Sequence, residues 1–311
     1  MSRRPLAYTA LFITAFGWSL SPIFIRFLSS PYDPYSQAFI RYLSAAVTLL
    51  IVSGIAYRPG LWKAFWNPAT LGLAIVNTVM QTAWTVGIYS TTATVAQFVV
   101  KLQVPLIILF SFFLFREERG VIRRPFFLFG TLLGFAGVGG VLVKEPGASL
   151  LPSLSVGTLL IMFVALTWAI YAVWGKHAVA DLHPVPMFTL IAVYTTIGFG
   201  AMSFFVGDPH TLAAAGTRTT IIALLSGTLP IAIAHCAFHF AQKQLGAAFC
   251  NSVIMLNPLL THAIALLLWH NEKMNWIQWL GAALLLTGTY MVIRAERAET
   301  RNGMALVHDQ S

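Results

Sequence analysis

Apolar residues run through this chain in stretches long enough to cross a membrane, with short polar or Pro/Gly breaks between them. Ten such stretches stand out, at about 7–28, 34–57, 69–89, 92–115, 124–143, 154–174, 184–206, 219–241, 246–269 and 275–293. A helix needs about 20 apolar residues to span the hydrocarbon core, so each run predicts one transmembrane helix. The links between runs are short, which predicts antiparallel neighbours and leaves no room for a soluble domain. The only sizeable polar segment is the end, RAERAETRNGMALVHDQS at 294–311, expected to be a frayed tail.

Composition supports a lipid solvent. Of 311 residues, 58% are hydrophobic and 9% charged, and mean hydropathy is +0.76. Soluble domains carry about a quarter charged residues. MSRRPLAY opens the chain with positive charge, but the following run is long and lacks a small-residue cleavage pattern, so it reads as an uncleaved first span. With a cytoplasmic N-terminus, the inner face holds Arg3, Arg4, Arg58, Lys63, Arg116, Arg119, Arg123, Arg124, Lys176, Lys243, Arg294, Arg297 and Arg301, thirteen in all. The outer face holds four, Arg26, Lys144, Arg218 and Lys273. Basic residues favour the cytoplasmic side, so both termini are expected there, in a bacterial inner membrane. This bias accounts for most of the +9 net charge without nucleic acid. The expected partners are a small-molecule substrate and anionic lipid headgroups. The expected assembly is a monomer or weak homodimer. Cys236 and Cys250 fall inside spans and read as small buried apolar residues.

The two halves repeat each other. Trp18 is followed eight residues later by Arg26, and at an offset of 150 Trp168 is followed by Lys176. The same offset places Pro34 on Pro184, each opening a span. QVPL at 103–106 lies opposite LNPL at 256–259, and Gly130 and Gly137 lie opposite Gly281 and Gly288. Glu118 and Glu272 precede the two glycine pairs. The ordered matches divide the chain into a first five-helix repeat at 1–147, a second at 150–294 and a polar tail at 295–311. Five is odd, so the second copy enters the membrane from the opposite side. Inverted repeats suit transporters, whose halves rock about a site near the midplane. The predicted fold class is thus an all-α integral membrane protein of ten transmembrane helices in two inverted five-helix repeats.

On the Trp18 to Arg26 and Trp168 to Lys176 spacings, Arg41, the kinks at Pro105 and Pro258, the two glutamates and the paired glycines, the sequence resembles the drug/metabolite transporter (DMT) superfamily, in its EamA-type ten-helix members. The resemblance covers about 5–293. It implies transport of small metabolites, often amino acid export, through a cavity lined by both halves. Arg41 departs from the symmetry, since the offset of 150 lands on Ile191.

Two cations lie well inside spans, Arg41 and Lys101, and all ten acids lie in loops, span ends or the tail. A central Lys or Arg costs roughly 2.5–3.5 kcal/mol on insertion scales, so something must offset it. Thr94, Gln97, Lys101 and Pro105 recur at steps of three or four and share a face. Pro105 frees the carbonyl four residues back, which is that of Lys101. A polar, partly unwound face fits a cavity wall. In one reading Lys101 meets a substrate carboxylate or phosphate; in the other, neighbouring carbonyls hold it. Arg41 is assigned to structure, and Trp18, Pro105 and Pro258 to structure or gating. Asn77, Gln81 and Trp84 form an i, i+4, i+7 set on the third span, readable as cavity wall or as helix–helix bonding. Thr228, His235 and His239 align on the eighth span, and Asn251, Met255 and His262 on the ninth. Trp168 and Tyr171 are core aromatics or a stacking surface. The substrate-binding set is therefore Lys101, Gln97, Asn77, Gln81, Trp84, His235, His239, Asn251, Trp168 and Tyr171.

No cofactor and no metal is expected, although His235 and His239 stand four apart. With no carboxylate inside a span, proton coupling would fall to His235, His239 or His262. An enzyme is not expected, because the spans show no HExxH, no GxSxG and no paired aspartates. Short loops also argue against a receptor or scaffold. The expectation is a secondary transporter, exporter or exchanger, of a small organic metabolite with an anionic group such as an amino acid or organic acid. Export of neutral or drug-like compounds is the alternative.

Overall fold

The structure is a computed structural model and describes residues 4–114, 124–143, 155–178, 181–245 and 247–308. Its helices are α1 Arg4–Phe27, α2 Pro34–Ala56, α3 Arg58–Phe65, α4 Pro68–Tyr89, α5 Ala93–Val99, α6 Gln103–Leu114, α7 Pro125–Leu142 and α8 Val156–Ala178. They continue as α9 Pro184–Phe205, α10 His210–Ala214, α11 Thr217–Gly227, α12 Ala234–Leu245, α13 Ala247–Ile254, α14 Asn257–Leu268 and α15 Trp276–His308. Among the described residues, nine stretches are long and apolar enough to cross a membrane. The tenth predicted span, 246–269, is present as α13 followed by α14, each too short to cross alone. The result is an all-α membrane protein with ten spans.

Local chemistry sets the span ends. The Asp33 carboxylate accepts the N–H groups of Tyr35 and Ser36 at 2.9 and 3.2 Å, and Pro34 occupies the first turn of α2. His183 and Pro184 open α9 in the same way, with Nδ1 accepting from Val185 N–H at 3.3 Å. A side-chain acceptor before a proline that needs no donor is an efficient helix start.

Three spans are not plain helices. The fourth is α5, a 3₁₀ turn at Val100–Leu102, then α6. The ninth breaks at Met255–Leu256, just before Asn257 and Pro258. The eighth is α11, a π-helical turn at Thr228–Ile233 around Pro230, then α12. Proline removes a donor and clashes with the preceding turn, which explains each irregularity. Two further features were not predicted. The segment after α2 is the short helix α3, with Trp62, Phe65 and Trp66 exposed and packed ring to ring beside Lys63. Such aromatics suit the headgroup level. The tail expected to fray continues α15 to His308, where Ala, Glu, Arg and Met are all favourable to helix.

The principal contacts run between the repeats. The first span packs on the eighth through α1 and α12, and the third on the sixth through α4 and α8. The second packs on the seventh through α2 and α9, and the fifth on the tenth through α7 and α15. The glycine pairs explain the last contact. A methyl built at Gly137 would meet the Gly281 carbonyl at 2.7 Å, and one at Gly130 the Gly288 carbonyl, also at 2.7 Å. The bare backbones of α7 and α15 touch at both levels, as small residues allow in membranes. An offset of 151 converts the first of these contacts into the second, as two-fold symmetry requires.

Candidate functional site

Lys101 lies at the 3₁₀ break of the fourth span and is 6% exposed. Its ammonium donates to the backbone carbonyl of Ile254 at 3.2 Å. Pro258 has no N–H, so the Ile254 carbonyl loses its intrahelical donor. The lysine supplies the replacement. The offset of 153 that relates Pro105 to Pro258 also relates Lys101 to Ile254, so the pseudo-two-fold axis passes between two positions in contact. The middle of the bundle is thus two broken helices facing each other, with one cation between them and no acid of a span to balance it.

Around this point α1 acts as a central post. The side-chain amide of Gln97, one turn before Lys101, donates to the Trp18 carbonyl at 3.5 Å. The Trp18 indole N–H donates to His235 Nδ1 at 3.4 Å, and its ring meets Phe238 at 4.8 Å between centroids. His235 stacks on Phe188 at 4.3 Å. Ser19 Oγ donates to the Asn257 carbonyl at 3.3 Å, and Thr261 Oγ1 to the Ser19 carbonyl at 2.9 Å. Arg41 is buried, donates from Nη2 to Ser21 Oγ at 3.1 Å and leaves Nε without a partner among the described residues. Gly227 packs under the Arg41 carbonyl, where no side chain fits.

The remaining sequence candidates fall into separate environments. Asn77 is buried, and its amide donates to Tyr42 Oη at 3.2 Å and Thr195 Oγ1 at 3.0 Å, tying the third span to the second and seventh. Trp84 is buried in a cluster with Met80, Ala83 and Phe98, against which Trp168 packs. Tyr171 packs against the other large cluster, with Tyr42, Phe188 and Ile231. Gln81 and His239 are half-buried, and Asn251 is exposed. The break in the ninth span separates Asn251 from His262, which bonds Thr94 Oγ1 at 3.3 Å and meets the Trp279 ring edge-on at 5.1 Å. Thr228 pairs with Thr48 rather than with the histidines.

One cluster was visible only as a motif. The Glu272 carboxylate, 1% exposed, accepts the N–H groups of Ala93 and Thr94 at 3.0 and 3.1 Å and pairs with Arg26 Nε at 3.2 Å. Arg26 also donates to the Thr91 carbonyl at 2.9 Å and Asn271 Oδ1 at 3.2 Å, and lies 5.3 Å from the Trp269 ring centroid. This clasp joins the end of α1, the start of α5 and the segment after α14. It closes the bundle on the face opposite the termini. The repeat-related Glu118 lies outside the described residues.

Ten spans, antisymmetric contacts and paired helix breaks around a central cation define a membrane transporter of the inverted-repeat class. The chain matches the EamA-like transporter family over residues 5–143 and 155–294, and it belongs to that family. It is similar to an uncharacterized transporter of Archaeoglobus fulgidus, 25% identical over 90% of this chain and 95% of that one. An uncharacterized transporter of Haemophilus influenzae is 21% identical over 88% and 93%. Among solved structures, a protein crystal structure matches with a TM-score of 0.64 at 17% identity over 93% of this chain and 96% of that one, a likeness of fold alone. The family is one of transporters, not enzymes.

Proposed function

We propose that this protein carries a small organic metabolite with an anionic group, an amino acid or organic acid, by alternating access, as an exporter or exchanger. The observation behind this reading is Lys101. Among the described residues the buried ammonium has one partner, a backbone carbonyl, which leaves two donors and a full charge for a ligand. Charges at this depth are costly and favour a functional role. Gln97, one turn before Lys101, is joined to the Trp18–His235 pair through the Trp18 carbonyl, and these groups would complete the lining. The excess of basic residues in the loops on the side of the termini supports a cytoplasmic position for both termini, in a bacterial inner membrane.

Counterflow in proteoliposomes loaded with a panel of amino acids, organic acids and neutral compounds tests the reading. The wild-type protein is expected to exchange an anion-bearing solute, and Lys101→Ala to lose that exchange while inserting normally. Exchange of neutral compounds alone, or an active Lys101→Ala protein, would favour a neutral or drug-like substrate.

A further inference from the structure

A second site lies away from the axis. An apolar groove of about 430 Å³ opens between α1, α2 and the eighth span. Leu6, Thr9 and Ile13 of α1 form one wall and Val52 of α2 another. Ala237 and Phe240 of α12 form the third, below the bulge of the π turn. Leu6, Ile13 and Val52 are exposed, so the groove faces the bilayer sideways and lies at the depth of acyl chains. It sits where the first repeat meets the second.

Its mouth is basic. On the eighth span the groove residues Ile233, Cys236 and Phe240 recur at helical spacing, and the next position on that stripe is Lys243, which is exposed. Arg4 stands two residues before Leu6 at the start of α1, and Arg58 two residues after α2 ends; both are exposed. Each of the three helices therefore brings a cation to the same membrane face at the end of the groove. The sole salt bridge among the described residues is on the opposite face.

We infer that this groove binds one acyl chain of an anionic phospholipid, whose headgroup is held by Arg4, Arg58 and Lys243. The apolar walls select a hydrocarbon chain. The basic rim selects a negative headgroup, since polybasic clusters at the membrane surface attract anionic lipid. A chain wedged between α1 and α12 makes the contact between the repeats depend on lipid composition. This inference does not rest on the substrate proposed above.

The test is photo-crosslinking of the full-length protein in vesicles. The probes are phosphatidylglycerol and phosphatidylcholine with a photoreactive group on the acyl chain, and labelled peptides are mapped by mass spectrometry. Phosphatidylglycerol is expected to label 4–13 and 232–243 more strongly than phosphatidylcholine, by about fivefold for each basic residue engaged. Ala237→Phe fills the groove and should abolish this labelling, while leaving that of the exposed residues Phe126 and Leu132 on α7 unchanged. Lys243→Gln should keep the labelling and reduce the preference. Arg4→Gln provides a second variant should Lys243→Gln fail to elute as a single species. Equal labelling by both probes, or labelling that survives Ala237→Phe, overturns the inference.

Discussion

At the scale of single residues, Lys101 sets two energies against each other. Its burial costs roughly 2.5–3.5 kcal/mol. Its bond to Ile254 returns part of that, since leaving a buried carbonyl without a donor costs about 1–3 kcal/mol. The first is the larger. Lys101→Met should therefore keep or raise the thermal midpoint of the purified protein while abolishing transport. A clear loss of stability would make the lysine a structural cap for the broken ninth span and nothing more. Asn77 behaves otherwise, because both of its partners are buried hydroxyls. Asn77→Leu should lower the midpoint, because Tyr42 Oη loses the amide donor and Thr195 keeps only its 3.5 Å bond to the Ala74 carbonyl. The sequence placed Lys101 and Asn77 on polar helix faces, but it could not tell an amide with two partners from an ammonium with one. That difference depends on the second and seventh spans, which no spacing along the third or fourth reveals.

At the scale of elements, apolar run length located every span, because the bilayer imposes one length on all of them. Interruptions were harder to read. Pro105 and Pro258 marked the kinks. The extent of the break, a 3₁₀ turn in one span and two separate helices in the other, follows from which neighbours can supply the freed carbonyls. The π turn around Pro230 left no distinct signal, and α3 was hidden because it lies in the link between the runs 34–57 and 69–89, where Arg58 and Lys63 read as a polar break. Pro258→Ala restores an N–H to the Ile254 carbonyl and removes the need for Lys101 there. It should slow amide exchange at the break, raise the thermal midpoint and reduce counterflow. Gly137→Leu acts on the opposite kind of element, a tight one. The side chain has no space against α15, and overpacking of this sort costs about 1–3 kcal/mol or more. The variant should denature at lower temperature or fail to elute as a single species.

At the scale of the molecule, the clasp of Arg26 and Glu272 closes one face, while Asn251 is exposed nearer the other. Removing one partner of a buried ion pair costs about 3–5 kcal/mol, approaching the roughly 5.5 kcal/mol that carries a two-state equilibrium from 1:99 to 99:1. Glu272→Gln should therefore open the closed face. A single cysteine introduced by Ser21→Cys, with Cys236 and Cys250 replaced by alanine, should react faster with an impermeant thiol reagent added from that side. Unchanged reactivity would assign the clasp to folding instead of gating. The clasp was legible only as two motif residues 246 apart, because the backbone donors that complete it carry no sequence signature.

The single cation on the pseudo-two-fold axis has an electrical consequence. A charge fully crossing a membrane couples to the field by about 2.3 kcal/mol per 100 mV. A charge on the axis about which the halves rock is hardly displaced along the field. Return of the empty carrier should then be nearly indifferent to voltage, and current should appear only when solute crosses.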